Sequence, residues 1–387
     1  MSKKKICVFI GSRANYSSIK SVMVAIKEHH NLKLQLVLGA SSILDRFGKV
    51  EDLIRKDGFS PDYIFHNLIE GESPTTMAKS TGLGLMDASM TFDNLNPDML
   101  VVVGDRYEMM SVTLAAAYMN IVIVHTMGGE VTGTIDESIR HAITKFSHIH
   151  FPANQDSKER IIKLGEKPEF VFNVGCPRID LVALELKKNS YQVLANLFQE
   201  FGGVGKAFNL ESDFLLVSQH SVTTEYGNNR WQIEQTLEAL EALNMPVIML
   251  WPNSDAGSDD ISSGIRTFRE KKRPVWLHLF KNLPTSIYIH LMKATACLVG
   301  NSSSGVREGA FIGTPVVNIG TRQNKRLRTK NVVQVGYTSN EILQGIKKQL
   351  DHGKYESSNI YGDGNAGTQI AEILSNCNPK IQKKITY

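Results

Sequence analysis

Short apolar runs, each followed by an amphipathic segment, recur along the 387 residues of this chain. In the first half the runs are ICVFIG, KLQLVLGA, DYIFHNL, DMLVVVGD, IVIVHTMGG, HIHFPA and EFVFNVG. They are rich in β-branched residues, and several are continuous rather than alternating, which is typical of strands buried on both faces of a parallel sheet. Segments with helical periodicity, such as Tyr16 to Glu28 and Glu108 to Tyr118, separate them. The pattern predicts βαβ units and a doubly wound α/β fold.

The second half repeats this alternation with FLLVSQH, PVIMLWPN, VWLHLF, ACLVGNSS, PVVNIG and VVQVG. A chain of this length accommodates two domains of ordinary size. We therefore predict two Rossmann-like α/β domains with a cleft between them, an N-terminal one over residues 1–178 and a C-terminal one over residues 179–365. In open α/β sheets, ligands bind at the carboxyl ends of the strands.

Charge and cysteine content narrow the class of protein. The net charge of +4, from 43 basic and 39 acidic residues, is too mild to indicate a nucleic acid or a membrane surface as partner. No apolar stretch approaches the roughly 18 residues of a membrane span, and the first run stops at Gly11, too early for a signal peptide. Four cysteines without a CxxC pair indicate reduced thiols. We predict a cytoplasmic protein.

Two strand ends in the first half carry candidate ligand residues. Gly11-Ser12-Arg13-Ala14 follows the first run and opens a helix, where an anion can bind, although an ordinary βα turn fits equally well. Gly104-Asp105-Arg106 ends the fourth run. A carboxylate and a guanidinium at that point favour a ligand contact over a surface ion pair or a helix cap.

The segment from His125 to His141 is the densest in titratable groups. It combines a glycine turn, Glu130, and Asp136 and Arg140 at the i,i+4 spacing that places two side chains on one helix face. Thr134 and Glu137 also fit a capping box, and one helix start can serve both purposes.

Three strand ends in the second half carry further candidates. His220 follows the first strand there, and Asn253 lies in a polar loop after the second, where a plain turn is an equal alternative. Gly300-Asn301-Ser302-Ser303-Ser304-Gly305 is the best phosphate candidate, because small residues at a helix start let backbone N–H groups approach phosphate oxygens. Glu308 comes early in the same helix, within reach of a ribose diol.

Several common motifs are missing from the sequence. It has no GxGxxG fingerprint, Walker A lysine, HExxH, GxSxG or paired Cys/His spacing. The absence of these motifs disfavours nicotinamide, P-loop and metal chemistry, so we predict no metal site and no cofactor.

Taken together, the motifs resemble the hydrolysing UDP-N-acetylglucosamine 2-epimerases of sialic acid synthesis, and especially the epimerase half of the animal bifunctional epimerase/kinase. The resemblance runs nearly from end to end. Its specific stretches are GDR at Asp105, GGEVTGTIDESIRHAITK, PNSDAG, GNSSSGVRE, GTPVVNIGTRQ and IYGDGNA.

The resemblance implies a fold of glycosyltransferase-B type whose last helix, within residues 366–387, packs back on the first domain. It implies catalytic roles for Asp105 and Asp136, with Glu130 and His220 as further candidates. It also implies a set of residues that bind the UDP-sugar: Arg13, Arg106, Asn253, Ser302, Ser303, Glu308 and Arg322. A homodimer or homotetramer is expected from the same resemblance.

The implied reaction releases UDP and N-acetylmannosamine from UDP-N-acetylglucosamine through a glycal. The sequence departs from the family at two positions, because Met127 stands where relatives have a glutamate and Asn15 stands where they have an aspartate. The substituents at C4 and C6 of the sugar therefore stay open. The alternatives are the same reaction on UDP-N,N′-diacetylbacillosamine for legionaminic acid synthesis, a UDP-sugar glycosyltransferase, and a non-catalytic nucleotide-sugar binding protein.

Overall fold

The computed structural model describes residues 3–44, 49–69, 74–131, 135–252 and 257–386. The chain divides into two compact units. The first comprises Met1–Val131, Ile135–Leu181 and Tyr361–Tyr387, and the second comprises Val182–Ile360.

The first unit is built from strands that alternate with helices. In chain order its elements are β1 (Lys4–Ile10), α1 (Arg13–Glu28), β2 (Leu32–Leu38), α2 (Val50–Lys56), β3 (Tyr63–Ile64), α3 (Pro74–Leu95), β4 (Met99–Val103), α4 (Tyr107–Tyr118), β5 (Val122–Thr126), α5 (Ile135–Phe146), β6 (Ile149–Phe151) and α6 (Gln155–Lys163). A further helix, α7 (Pro177–Glu185), begins in this unit.

The strands of the first unit form one parallel sheet in the order β3-β2-β1-β4-β5-β6. Ile6, Val8 and Ile10 of β1 are buried in a core on one face, and Cys7 and Phe9 in a core on the other. Burial on both faces is the reason that the apolar runs are continuous, as the sequence predicts for a sheet between two helical layers.

The second unit repeats the alternation. Its elements are α8 (Ser190–Leu194), α9 (Leu197–Glu200), β7 (Leu215–Ser218), α10 (Asn229–Leu243), β8 (Val247–Leu250), α11 (Ser258–Lys272), β9 (Leu277–Phe280), α12 (Thr285–Ala294), β10 (Cys297–Gly300), α13 (Ser303–Val306), α14 (Glu308–Ile312), β11 (Val316–Ile319), β12 (Val332–Val335) and α15 (Ser339–His352).

The second sheet is also parallel and has the order β12-β11-β10-β7-β8-β9. If the strands of this sheet are renumbered from β7 as the first, and the sheet is read from β9 to β12, the strand order is the same as in the first unit. Leu215 and Val217 are buried on one face and Phe214 and Leu216 on the other. Two doubly wound Rossmann-like units are therefore present, as the sequence predicts.

The last helix, α16 (Ala366–Asn376), belongs to the first unit. Ile370, Ala371 and Leu374 are buried in the same core as the residues of α1. The carboxylate of Asp180 on α7 accepts hydrogen bonds from the backbone N–H groups of Ala366 at 3.0 Å and Gly367 at 2.6 Å. An acidic side chain at a helix N-terminus satisfies amides that have no partner within the helix.

The helices and the cysteines can be compared with the predictions of no membrane span and of reduced thiols. Within the described ranges, no helix is both long enough and apolar enough to cross a membrane. All four cysteines are free thiols, and Cys7, Cys176 and Cys297 are buried.

Candidate active site

In each sheet, successive strands are added first towards one edge and then towards the other, so the strand order reverses at one point. It lies between β1 and β4 in the first unit and between β7 and β10 in the second. Ligands of doubly wound sheets bind outside the carboxyl ends of the strands at such a point. Arg13 follows β1, Asp105 and Arg106 follow β4, His220 follows β7, and Ser302 and Ser303 follow β10.

The start of α1 is fixed to the end of β4. Ser12 caps the helix and accepts a hydrogen bond from the backbone N–H of Asn15 at 3.3 Å. The side-chain amide of Asn15 donates to the carbonyl of Val103 at 3.4 Å. Arg13, the first residue of α1, is half-buried, and burial lowers the pKa of its guanidinium. The first turn of α1, which begins at Arg13, is thus held near the end of β4.

Asp105 forms an ion pair with Arg140 of α5. The guanidinium is 1% exposed, and it donates through Nη2 to Asp105 Oδ2 and through Nη1 to the carbonyl of Glu130 at 2.8 Å. Asp136 and Arg140 lie on one helix, as their spacing predicts. The side chain of Arg140 nevertheless extends to the end of β4, the strand that neighbours β5 in the sheet. The arrangement fixes the direction of the Asp105 carboxylate.

Arg106 pairs with Glu108, for which the sequence predicts no role. Arg106 Nε donates to Glu108 Oε1 at 2.7 Å, and Glu108 is 1% exposed in the first turn of α4. The charge of Glu108 makes the largest contribution to the raised pKa of Arg106, and the charge of Asp136 adds to it. Asp136 therefore lies near Arg106. The sequence signal that could have identified Glu108 is its place in the first turn of a helix that follows a buried strand, where acidic residues are favoured.

Two further residues of the dense segment are Glu130 and Met127. Glu130 is 8% exposed, and its carbonyl is the acceptor for Arg140. Met127 has a positive φ of 62° and donates its N–H to the carbonyl of Phe151 at 2.9 Å. Its side chain packs against the core that contains Phe151. A thioether cannot take up a proton, so Met127 carries no acid/base chemistry. Thr134 lies outside the described residues.

In the second unit, His220 is held by Asn301. The side chain of Asn301 accepts the backbone N–H of His220 and donates to its carbonyl, each at 2.8 Å. His220 Nε2 lies 3.3 Å from the hydroxyl of Ser218. The ends of β7 and β10 are thereby joined.

The serine loop caps a helix that is shorter than the sequence indicates. Ser302 is the N-cap of α13, and its hydroxyl lies 2.8 Å from that of Ser304, which in turn lies 2.7 Å from the hydroxyl of Tyr288. Ser303 begins α13 and is half-buried. The helix breaks at Arg307 and continues as α14 from Glu308, so Glu308 opens its own short helix rather than extending that of the serines.

Arg322 and Glu308 complete the second group. Arg322 Nη1 donates to the carbonyl of Asn301 at 3.3 Å, and Gln323 Nε2 donates to the same oxygen at 2.9 Å. Glu308 is 2% exposed, and its Oε2 lies 3.6 Å from Nε of Arg307. Asn301 and Gln323 lie within the family motifs, but the sequence predicts no role for them. Asn253 lies outside the described residues.

The predicted residues that the structure describes are divided between the two units. Those of the first unit are Arg13, Asp105, Arg106, Glu130 and Asp136, and those of the second are His220, Ser302, Ser303, Glu308 and Arg322. Across the described part of the chain, no three His, Cys, Asp or Glu side chains are grouped so that they could hold a metal ion.

Comparison with known proteins identifies the family. A family model described as UDP-N-acetylglucosamine 2-epimerase matches residues 24–375. The chain belongs to the UDP-N-acetylglucosamine 2-epimerase family. Within this family, the chain is 33% identical over 371 residues to a UDP-N,N′-diacetylbacillosamine 2-epimerase (hydrolyzing) of Legionella pneumophila, with 96% of this chain and 95% of the relative covered.

Two matches from Neisseria meningitidis extend the comparison. A UDP-N-acetylglucosamine 2-epimerase is 28% identical over 376 residues, which is 96% of this chain and 95% of the relative. The crystal structure of a UDP-GlcNAc 2-epimerase bound to UDP-GlcNAc superimposes with a TM-score of 0.81 at 18% identity, and covers 96% of this chain and 100% of the other. The glycosyltransferase-B type of fold is confirmed, and the prediction of a UDP-sugar 2-epimerase is confirmed at the level of the family.

Proposed function

We propose that this protein is a hydrolysing 2-epimerase that converts UDP-N-acetylglucosamine into N-acetylmannosamine and UDP. The observation that carries the proposal is the group at the end of β4. There, Arg140 fixes the carboxylate of Asp105, and the charge of Asp136 acts on Arg106, the residue that follows Asp105. Epimerisation at C2 needs both a group that removes a proton and one that returns it.

In the proposed reaction, a carboxylate takes the C2 proton while the C1–O bond to UDP breaks. The products of this step are UDP and a glycal with a C1–C2 double bond. Water then adds its oxygen to C1 and a proton is delivered to C2 on the opposite face, which gives the manno sugar. Because the proton leaves and arrives on different faces, two acid/base groups are expected, and Asp105 and Asp136 supply them. Glu130 and His220 are the further candidates.

The second group is proposed to bind the nucleotide. Ser302 and Ser303 offer hydroxyl and amide donors, and Arg322 offers a guanidinium beside the carbonyl of Asn301. Such fixed donors stabilise the charge that develops on the departing diphosphate. Glu308 is proposed to accept hydrogen bonds from the ribose hydroxyls. Arg13 and Arg106 of the first unit are the proposed cationic contacts there, with Asn253 in the sugar-binding set.

A second substrate, UDP-N,N′-diacetylbacillosamine, is favoured by two observations. The relative named for that sugar is 33% identical, against 28% for the Neisseria relative named for UDP-N-acetylglucosamine. Met127 also packs an apolar side chain where the resemblance places a glutamate. The reaction is the same in both cases, and the sugar released would be destined for sialic acid or legionaminic acid synthesis respectively.

Incubation of the purified protein with each UDP-sugar in D₂O tests the proposal. We expect free sugar of manno configuration, deuterium at C2 and one UDP per sugar by NMR, without any acceptor. Transfer of the sugar to an added acceptor would indicate a glycosyltransferase instead, and binding of UDP-sugars without turnover would indicate a binding protein.

A cytoplasmic location and self-association are proposed with the activity. The four free thiols support a reducing compartment. A homodimer or homotetramer rests on the family alone, and light scattering that gives the mass of a monomer at working concentration would overturn it.

A further inference from the structure

His125 is a fully buried histidine at the end of β5 that none of the proposed steps uses. Its side chain is 0% exposed. Its Nε2 lies 2.7 Å from the carbonyl oxygen of Gly104, and its Nδ1 lies 3.2 Å from the hydroxyl of Thr144 on α5. Both ring nitrogens are therefore occupied by protein groups.

The two partners determine the tautomer of the ring. A carbonyl oxygen can only accept, so Nε2 carries the proton and donates it to Gly104. Burial lowers the pKa of His125 to about 3, so the ring is neutral at physiological pH and Nδ1 is an acceptor. The hydroxyl of Thr144 then donates to Nδ1. The result is a directed chain from Thr144 through His125 to Gly104.

This chain ends at the peptide that precedes Asp105. Gly104 has a φ of 75°, which favours glycine, and its N–H donates to the carbonyl of Thr126 at 3.0 Å. Its carbonyl is held by His125, so the peptide joining Gly104 to Asp105 is fixed on the side of the adjacent strand. Arg140 holds the carboxylate at the other end of the residue.

Arg140 and Thr144 share one face of α5. They are four residues apart, the spacing at which side chains lie one above the other on a helix. One helix therefore fixes Asp105 twice, directly through its carboxylate and indirectly through the preceding carbonyl.

Gly128 leaves room for this arrangement. A Cβ at that position would lie 2.8 Å from His125 Nδ1 and 3.1 Å from the hydroxyl of Thr144. Any larger residue would crowd the hydrogen bond between them.

We propose that His125 is a positioning residue, which orients Asp105 by donating to the carbonyl of Gly104 and moves no proton of the substrate. The inference rests on the proposed function only in that Asp105 is taken to act on the sugar. A neutral ring with both nitrogens bonded to protein has no atom left for acid/base chemistry.

Two substitutions of His125 separate positioning from proton transfer. His125→Leu removes the donor, and we expect kcat to fall on the order of 10²-fold, the cost of a misplaced reacting group, with little change in KM. His125→Gln retains an amide donor near Nε2 and should recover most of the lost kcat with an unaltered pH profile. A glutamine variant as inactive as the leucine variant, or a leucine variant with normal kcat, would overturn the proposal.

A matched pair of threonine variants tests the first link of the chain. Thr144→Val removes the hydroxyl that bonds His125 and should lower kcat. Thr113 is equally buried, but its hydroxyl bonds the carbonyl of Met109 in its own helix α4 at 2.6 Å, so Thr113→Val should leave kcat unchanged. Equal effects of the two changes on kcat would contradict the proposal.

Hydrogen exchange tests the positioning without any turnover. The amides of residues 103–106 should exchange faster in His125→Leu than in wild type, and UDP binding should persist. Unaltered exchange in this peptide would overturn the inference even if the enzyme is active. If wild type turns over no UDP-sugar, the proposed function fails while this measurement still decides the structural claim.

Discussion

Asn301 binds the backbone of His220 through both ends of its side-chain amide, with each hydrogen bond 2.8 Å long. The bonds connect the loops that follow β10 and β7, on either side of the reversal in the second sheet. Asn301 also offers its own carbonyl to Arg322 and Gln323. Asn301 thus sets the position of His220, a candidate acid/base group, relative to Arg322, a proposed contact of UDP.

Replacement of Asn301 should therefore weaken nucleotide binding. In Asn301→Ala we expect the Kd for UDP to rise about tenfold, equivalent to 1.4 kcal/mol. Asn331→Ala is the control, because Asn331 is as buried and bonds the carbonyl of Thr314 in the same unit. Calorimetry that finds the same affinity in both variants would contradict the assignment.

Ser303 should contribute a direct contact to the diphosphate. Ser303 is half-buried at the start of α13, next to the cap formed by Ser302. Ser303→Ala should weaken UDP binding by about 1–2 kcal/mol, the scale of a hydrogen bond to a charged group. Ser357→Ala is a control in the same unit, since the hydroxyl of Ser357 bonds the carbonyl of Phe311. An unchanged Kd for Ser303→Ala would argue against a phosphate contact.

The two carboxylates of the first unit should both be needed for chemistry. Asp136→Asn should cut kcat by about 10²–10⁴-fold, the usual contribution of a general acid or base, while UDP still binds. Asp136 is half-exposed, so its replacement should scarcely alter the melting temperature. Met127→Leu should be mild by comparison because it removes no titratable group.

Asp105→Asn should lower activity as well, but it also has a cost in stability. It leaves the buried guanidinium of Arg140 without its counter-charge, which should destabilise the fold by up to about 3 kcal/mol. A folded Asp105→Asn variant that kept deuterium incorporation at C2, together with a similarly active Asp136→Asn variant, would transfer the acid/base assignment to Glu130 and His220.

Acid should destabilise the protein through His125. Its pKa is about 3 in the folded chain against 6.5 for the free side chain, so between these values the unfolded chain binds more protons. This contribution to stability is complete above pH 6.5 and decreases by up to about 1.4 kcal/mol per pH unit as the pH falls. The neighbouring His141 and His150, whose pKa values are also lowered by burial, act in the same direction.

Melting temperatures at pH 7 and pH 5.5 test this dependence. The difference between them should be smaller in His125→Gln, which has no imidazole to protonate, than in wild type. Equal differences in the two proteins would show that His125 does not contribute to the slope.

The C-terminal segment should stabilise the first unit through Lys383. Its ammonium donates to Glu166 at 2.6 Å and to the carbonyl of Lys145 at 2.8 Å, near the end of α5. Burial alone would raise the pKa of Glu166, but hydrogen bonds from His150, Lys145 and Lys383 lower it to about 2. Lys383→Met should lower the melting temperature by several degrees, since it removes a partner of a buried carboxylate. The exposed neighbour Lys384, changed to Met, is the control, and an equal loss in both would contradict the ion pair's contribution.

Much of the architecture could be read from the sequence, because burial on both faces of a parallel sheet leaves a local signature. The runs around Val8 and Val101 are continuous and apolar, and small or charged residues follow each run at the carboxyl end of its strand. That periodicity places Asp105, His220 and Ser302 at strand ends without knowledge of strand order. The long motifs, in turn, are specific enough to identify the family.

The tertiary structure decided which of these residues meet. Strand order depends on pairings between distant segments, so the spacing of Asp136 and Arg140 did not reveal that Arg140 reaches Asp105, 35 residues earlier. Asn301 and His125 acquire their partners in the same way, from neighbouring strands and helices, whereas Glu108 pairs with Arg106 only two residues away. Local sequence therefore determined where each strand ends, whereas contacts between elements far apart in the chain determined what each side chain at those ends can bind or orient.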